Sequence, residues 1–161
     1  MIIPELIVAK ARTWLGTPFH HQARVKGKGC DCLGLVIGVA KELELRDKTG
    51  RLLASHDEVT YSRQPNSSHL IDKLSSLLDK VSLENASYGD IVVFKVGRNP
   101  QHLAILSNYD NSSVGSMWLS MIHSDVRARC VVEHRMDDEW QAKLKYVFRV
   151  SSYTTSQIKQ Y

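Results

Sequence analysis

Apolar positions along this chain follow two regimes. Up to about residue 81 they recur at helical spacing, and beyond it they alternate or run together as strands do. Residues 4–15 predict an amphipathic helix, with Pro4 at a first helical position and Ile3, Leu6, Ile7 and Trp14 on one face. Gly16-Thr17-Pro18 ends it, and residues 18–31 read as a polar loop with three glycine or proline breaks. A second helix is expected over 32–45, with Asp31 as its N-cap. Residues 46–68 are polar and broken by Gly50, Pro65 and Asn66-Ser67-Ser68, as in a long loop. Residues 69–81 carry Leu70, Leu74, Leu77, Leu78 and Val81 at the spacing of a third helix.

The strand regime opens after the turn Tyr88-Gly89-Asp90. Strands are expected over 91–96, 101–107, 118–123, 129–135 and 145–150, with a short helix over 137–144. Helices first and strands second predict an α+β fold with an antiparallel sheet of about five strands. The 161 residues suit a single core, so one domain is expected over 1–150, followed by a polar tail over 151–161.

Composition narrows the classes of function. Lys and Arg number 21 against 17 Asp and Glu, a net charge of +4, and the densest cluster is only Arg24, Lys26 and Lys28. Nucleic-acid binding normally needs a basic stripe with interleaved aromatics, so no nucleic-acid partner is expected. No run reaches the roughly 18 apolar residues of a membrane span, so no membrane partner is expected either. Glu5 interrupts the apolar N-terminal stretch, which has neither a positive start nor a small-residue cleavage site. The expectation is a protein made in the cytoplasm without a signal peptide, its three cysteines free.

The densest chemistry lies in Gly29-Cys30-Asp31-Cys32-Leu33-Gly34-Leu35-Val36. Cys32 falls in the first turn of the second helix, where unpaired N–H groups and the helix dipole stabilise a thiolate. Cys32, Val36, Val39 and Leu43 share the apolar face that should pack on the sheet, and Gly34 and Gly38 would let another element come close. A hairpin centred between residues 112 and 113 would pair His102 with His123, side by side on the face that meets Cys32. Nucleophile, base and orienting group would then stand together. A slip of one residue would break the arrangement, and a small buried cysteine beside two strand-end histidines is the plainer alternative.

Other readings stay open at this level. A metal held by Cys30, Cys32, His20 and His21 would want Cys-x-x-Cys-like spacing, and the chain offers Cys-x-Cys, so no metal or other cofactor is expected. Disulfides joining Cys30 to Cys32 or to Cys130 are conceivable but unsupported in a cytoplasmic chain. His56, His69 and His134 are expected at the surface.

Five blocks in order then resemble one family. They are Trp14-Leu15-Gly16-Thr17-Pro18-Phe19, the 29–36 stretch above, Gly89-Asp90-Ile91-Val92-Val93-Phe94, His102-Leu103-Ala104-Ile105-Leu106, and Ile122-His123. Together they resemble the NlpC-type papain-like cysteine peptidases over roughly residues 6–150. Thr17-Pro18-Phe19-His20-His21-Gln22-Ala23 with the 29–35 stretch looks most like the subgroup encoded among phage-tail and gene-transfer-agent genes.

The resemblance implies a papain-like core with the nucleophile helix packed on the sheet. It also implies hydrolysis of peptidoglycan stem-peptide bonds, typically next to D-glutamate and diaminopimelate. The partners implied are those stem peptides and other phage-tail proteins, and the place a virion or tail particle. Cys32 matches the nucleophile, His102 the general base, and His123 the polar residue that orients it. Asp31 matches the residue before the nucleophile and would line the entrance. His20, His21 and Gln22 are expected to line the substrate groove beside Phe19. Two positions depart from the family pattern: Phe19 replaces the usual Tyr, removing a hydroxyl near the catalytic turn, and Leu33 replaces the usual Ser. An amidase or acyltransferase on another substrate, or a structural tail protein keeping the fold, are the competing functions.

Overall fold

Pro4 opens the first helix, α1 (Pro4–Arg12), which buries Ile7, Val8 and Ala11. The 4–15 expectation is too long by about a turn, because the chain leaves the helix toward the sheet and Gly16 N–H donates to the Val131 carbonyl at 2.9 Å. Gly16 has φ of 79°, which suits the glycine. A computed structural model describes residues 4–61, 67–109 and 120–151. Helix α2 (Cys32–Glu42) starts where expected, and Asp31 Oδ1 accepts from Gly34 N–H at 2.8 Å as its N-cap. Helix α3 (Ser67–Leu77) and a short α4 (Asp138–Lys143) complete the set, together with single 3₁₀ turns at Leu53–His56 and Leu83–Asn85.

Both glycines of α2 are used for close approach. A Cβ on Gly34 would stand 2.1 Å from the Ala23 carbonyl oxygen, and one on Gly38 would stand 2.2 Å from the Trp14 ring. Only a missing side chain admits those neighbours.

Eight strands form in the described residues. In the expected 18–31 loop, β1 (Arg24–Val25) and β2 (Gly29–Cys30) make a small antiparallel hairpin. The remaining strands are β3 (Asp79–Val81), β4 (Ile91–Val96), β5 (Asn99–Ser107), β6 (Ser120–Asp125), β7 (Cys130–Arg135) and β8 (Leu144–Arg149). They build one antiparallel sheet in the order β3-β8-β4-β5-β6-β7. The sheet thus has six strands rather than five. The sixth is β3, read from the sequence as the end of the third helix. Leu74 and Leu78 keep the helical spacing, but the edge of β8 offers Val81 a backbone partner in Val147, and pairing wins over periodicity.

The two sheet faces have separate cores. Helices α1, α2 and α3 cover Ile91, Val93, Leu103, Ile105, Ile122 and Phe148. On the other face, Val92, Phe94, Ala104, Leu106, Met121 and Val147 pack with Met136 and Trp140, the latter from α4.

Register corrects one expectation. Strands β5 and β6 pair Ile105 with Ile122 and Leu106 with Met121, two residues away from the alignment that set His102 opposite His123. A two-residue slip keeps both histidines on a common face, since side chains alternate with period two. The hairpin turn and the expected strand start at residues 118 and 119 lie outside the described residues, as does the tail beyond Ser151.

Candidate active site

The start of α2 is held from several sides. Asp31 is buried; its Oδ2 accepts from Gln22 N–H at 2.7 Å and from the Tyr61 hydroxyl. Arg24 donates to the Tyr61 hydroxyl at 3.0 Å and grips Asp57 with two bonds, at 2.6 and 2.8 Å. Burial, followed by the bond to Asp31, raises the affinity of Tyr61 for its proton. Behind α2, the buried Cys30 backbone ties the Phe19 loop in place. Cys30 N–H donates to the Pro18 carbonyl, and the Cys30 carbonyl accepts from His20 N–H, both at 3.0 Å. That carbonyl also accepts from the Ser124 hydroxyl at 2.8 Å.

Cys32 projects from this fixed start. Burial pushes its thiol up to about 11, and the neighbouring Asp31 charge pushes the same way. The Leu103 backbone and the helix-start backbone of Leu33 and Cys32 itself oppose that rise. The thiolate expected from the helix dipole is therefore outweighed, and the resting group is the neutral thiol.

The histidines stand on the opposite face from the one expected. Leu103 and Ile105 point to α2, so His102 points with Ala104 toward α4, and His123 points there with Met121. The site is reached at the sheet's open end. The β5–β6 ladder stops at Ile105 and Ile122, so the strands separate at His102. Cys32, lying against the Leu103 backbone, comes to that gap from the other side.

Around the gap the rings are joined in series. His102 Nε2 lies 2.7 Å from His123 Nδ1, and His123 Nε2 lies 2.8 Å from His134 Nε2. His134 Nδ1 in turn lies 2.8 Å from the Arg135 carbonyl oxygen. Trp140 packs on all three rings, with centroids at 5.6, 5.2 and 6.2 Å. Burial lowers His102 to about 4, with Asp125 opposing and Arg127 adding to the shift. Burial and the two flanking histidines lower His123 further, to about 2.

Cys32 and His102 line one cavity of about 950 Å³. Phe19, His21 and Asp31 line it too, whereas His20 and Gln22 do not. His20 is exposed, and the Gln22 side chain donates to the Tyr61 carbonyl at 2.6 Å, bracing the wall from behind. The far wall is the 46–61 segment and α3, through Leu53, His56, Tyr61, Leu70 and Leu74.

Four contributors escaped the sequence reading. His134, expected at the surface, is half-buried in the ring series, and its signal was parity with His123 across the β6–β7 hairpin. His56, also expected at the surface, bonds the buried Asp47 at 2.7 Å. Tyr61 and Trp140 left no local signal. Among the described residues no group of three His, Cys, Asp or Glu is arranged to hold a metal ion, and all three cysteines are free thiols.

No family model and no curated protein matches the sequence. Solved structures do match the fold. The NlpC/p60 domain of the peptidoglycan hydrolase SagA aligns with 92% of this chain and 99% of its own, at 20% identity and a TM-score of 0.57. An NlpC/p60 family protein from Bacillus cereus aligns with 92% of this chain at 19% identity and a TM-score of 0.60, yet the match spans only 40% of that protein. The peptidoglycan hydrolase RipB from Mycobacterium tuberculosis aligns with 93% of this chain and 65% of its own, at 18% identity and a TM-score of 0.55.

Proposed function

Starting from a chain with the fold of NlpC/p60 domains, we propose a cysteine peptidase of the phage-tail type that hydrolyses peptidoglycan stem-peptide bonds next to D-glutamate and diaminopimelate. The observation that carries it is one cavity lined by Cys32 at a helix start and by His102 bonded to His123. Two of the structural neighbours above are described as peptidoglycan hydrolases, which supports the substrate class. The phage-tail assignment is carried by the resemblance of residues 17–35.

The reaction follows from the proton affinities. Cys32 and His102 both rest neutral at pH 7, so the thiol proton passes to His102 as sulfur attacks the scissile carbonyl. His102 Nε2 is engaged with His123, which leaves Nδ1 to accept that proton. The Cys32 backbone N–H, at the helix start, is the natural donor to the developing oxyanion. The tetrahedral adduct collapses, His102 returns the proton to the leaving amine, and water releases the acyl group with His102 again as base.

Digestion of diaminopimelate-type muropeptides, read by mass spectrometry, tests this. New fragments are expected from the wild-type protein and none from Cys32→Ala, and the fragment masses name the bond. Fragments that persist in Cys32→Ala would overturn the proposal.

A further inference from the structure

We propose that His134 is a positioning residue that sets which nitrogen of His102 is left bare to act as the base. The inference rests on the peptidase reading for its kinetic consequence, but not for its proton pattern.

The protons along the ring series are fixed from its far end. The Arg135 carbonyl can only accept, so His134 Nδ1, at 2.8 Å, must carry a proton and donate it. A neutral His134 then has a bare Nε2. That nitrogen lies 2.8 Å from His123 Nε2, which must therefore be the protonated one and donate. Neutral His123 is then bare at Nδ1, which accepts at 2.7 Å from His102 Nε2–H. His102, with its proton on Nε2, is bare at Nδ1, the only nitrogen the series leaves unengaged. A single carbonyl at the far end thus dictates the tautomer three rings away.

The reversed pattern shows why His134 matters. With the protons shifted to the other nitrogens, His134 Nδ1 and the Arg135 oxygen would face each other with lone pairs. Remove His134 and that penalty disappears. His123 can then donate from Nδ1 to His102 Nε2, which puts the His102 proton on Nδ1 and disables it as a base. His123 carries no charge to prefer one pattern, because it is buried between two other rings. Asp125 and Arg127 act on His102 only through their charge, and Trp140 touches the rings through its face or edge, so neither replaces the missing acceptor.

Two measurements on the full chain test the proposal. Nitrogen-15 NMR of histidine-labelled wild-type protein at pH 7 should show His102 and His123 protonated at Nε2 and bare at Nδ1, and His134 the reverse. A His102 protonated at Nδ1 overturns the proposal, whether or not the protein cleaves muropeptides, so this arm fails separately from the peptidase reading. In kinetics, His134→Ala should lower kcat by about tenfold or more with KM within about twofold, as loss of an orienting partner does. His134→Gln should recover most of the loss, because its amide oxygen can accept the His123 Nε2–H. An unchanged kcat in His134→Ala, or a Gln variant no better than Ala while both keep the wild-type fold by circular dichroism, overturns it.

Discussion

Cys32 and His102 are displaced in opposite directions, and both displacements favour the uncharged form. The imidazole must be neutral to accept the thiol proton, and burial lowers its affinity from the ordinary 6.5 to about 4. The active form therefore persists to lower pH than an unperturbed histidine would allow. The acid limb of kcat/KM is expected well below pH 6.5, near 4. A pH–rate profile on a muropeptide checks this, and a limb at 6.5 or above would show that the ring is solvated in the working enzyme. The thiol gives the matching sign: held up to about 11, it offers little thiolate at neutral pH, and attack must coincide with proton transfer.

At the level of elements, α2 and the β5–β6 pair decide where those side chains meet. The start of α2 was readable because its signals are local: an Asp cap, a Gly pair and an apolar stripe. The parity of His102 and His123 was readable too, since alternation along a strand survives a register slip of two. Which face the pair would occupy was not. That depends on α2 covering Leu103 and Ile105 rather than their neighbours, a tertiary choice that alternation alone cannot make when both faces are apolar. The same limit hid β3, because the leucines just before it continue a helical spacing until the β8 edge claims the chain. Gly34 is the tight contact between α2 and its loop, because a methyl there would press on the Ala23 carbonyl at 2.1 Å and on Asp31 Oδ1 at 3.1 Å. Gly34→Ala is expected to destabilise the fold by about 1–3 kcal/mol, measured by urea denaturation. A stability unchanged within about 0.5 kcal/mol would mean the loop yields at no cost.

Across the molecule, the cavity lies between parts distant in sequence. The sheet end brings His102, the helix start brings Cys32, and the 46–61 segment with α3 closes the far side. That segment is fastened to the start of α2 through Tyr61, whose hydroxyl sits between Asp31 and Arg24. Tyr61→Phe removes the fastening without removing the ring. KM is expected to rise by about threefold or more with kcat little changed, since the wall binds but does not react. Steady-state kinetics on the same muropeptides checks this, and a fall in kcat alone would move Tyr61 into the reaction itself. Nothing in residues 46–61 announced this role, because the polar stretch broken by Gly50 reads as any surface loop does.

The three free thiols have a practical consequence for anyone titrating Cys32 in a preparation. Cys30 is fully buried, so small electrophiles will pass it by. Cys130 is only half-buried, on an edge strand, and offers itself to the same reagents as Cys32. A general alkylating titrant will therefore report more sites than Cys32 alone. A peptide-shaped electrophile that must first fill the cavity, used on a Cys130→Ser background, will report one.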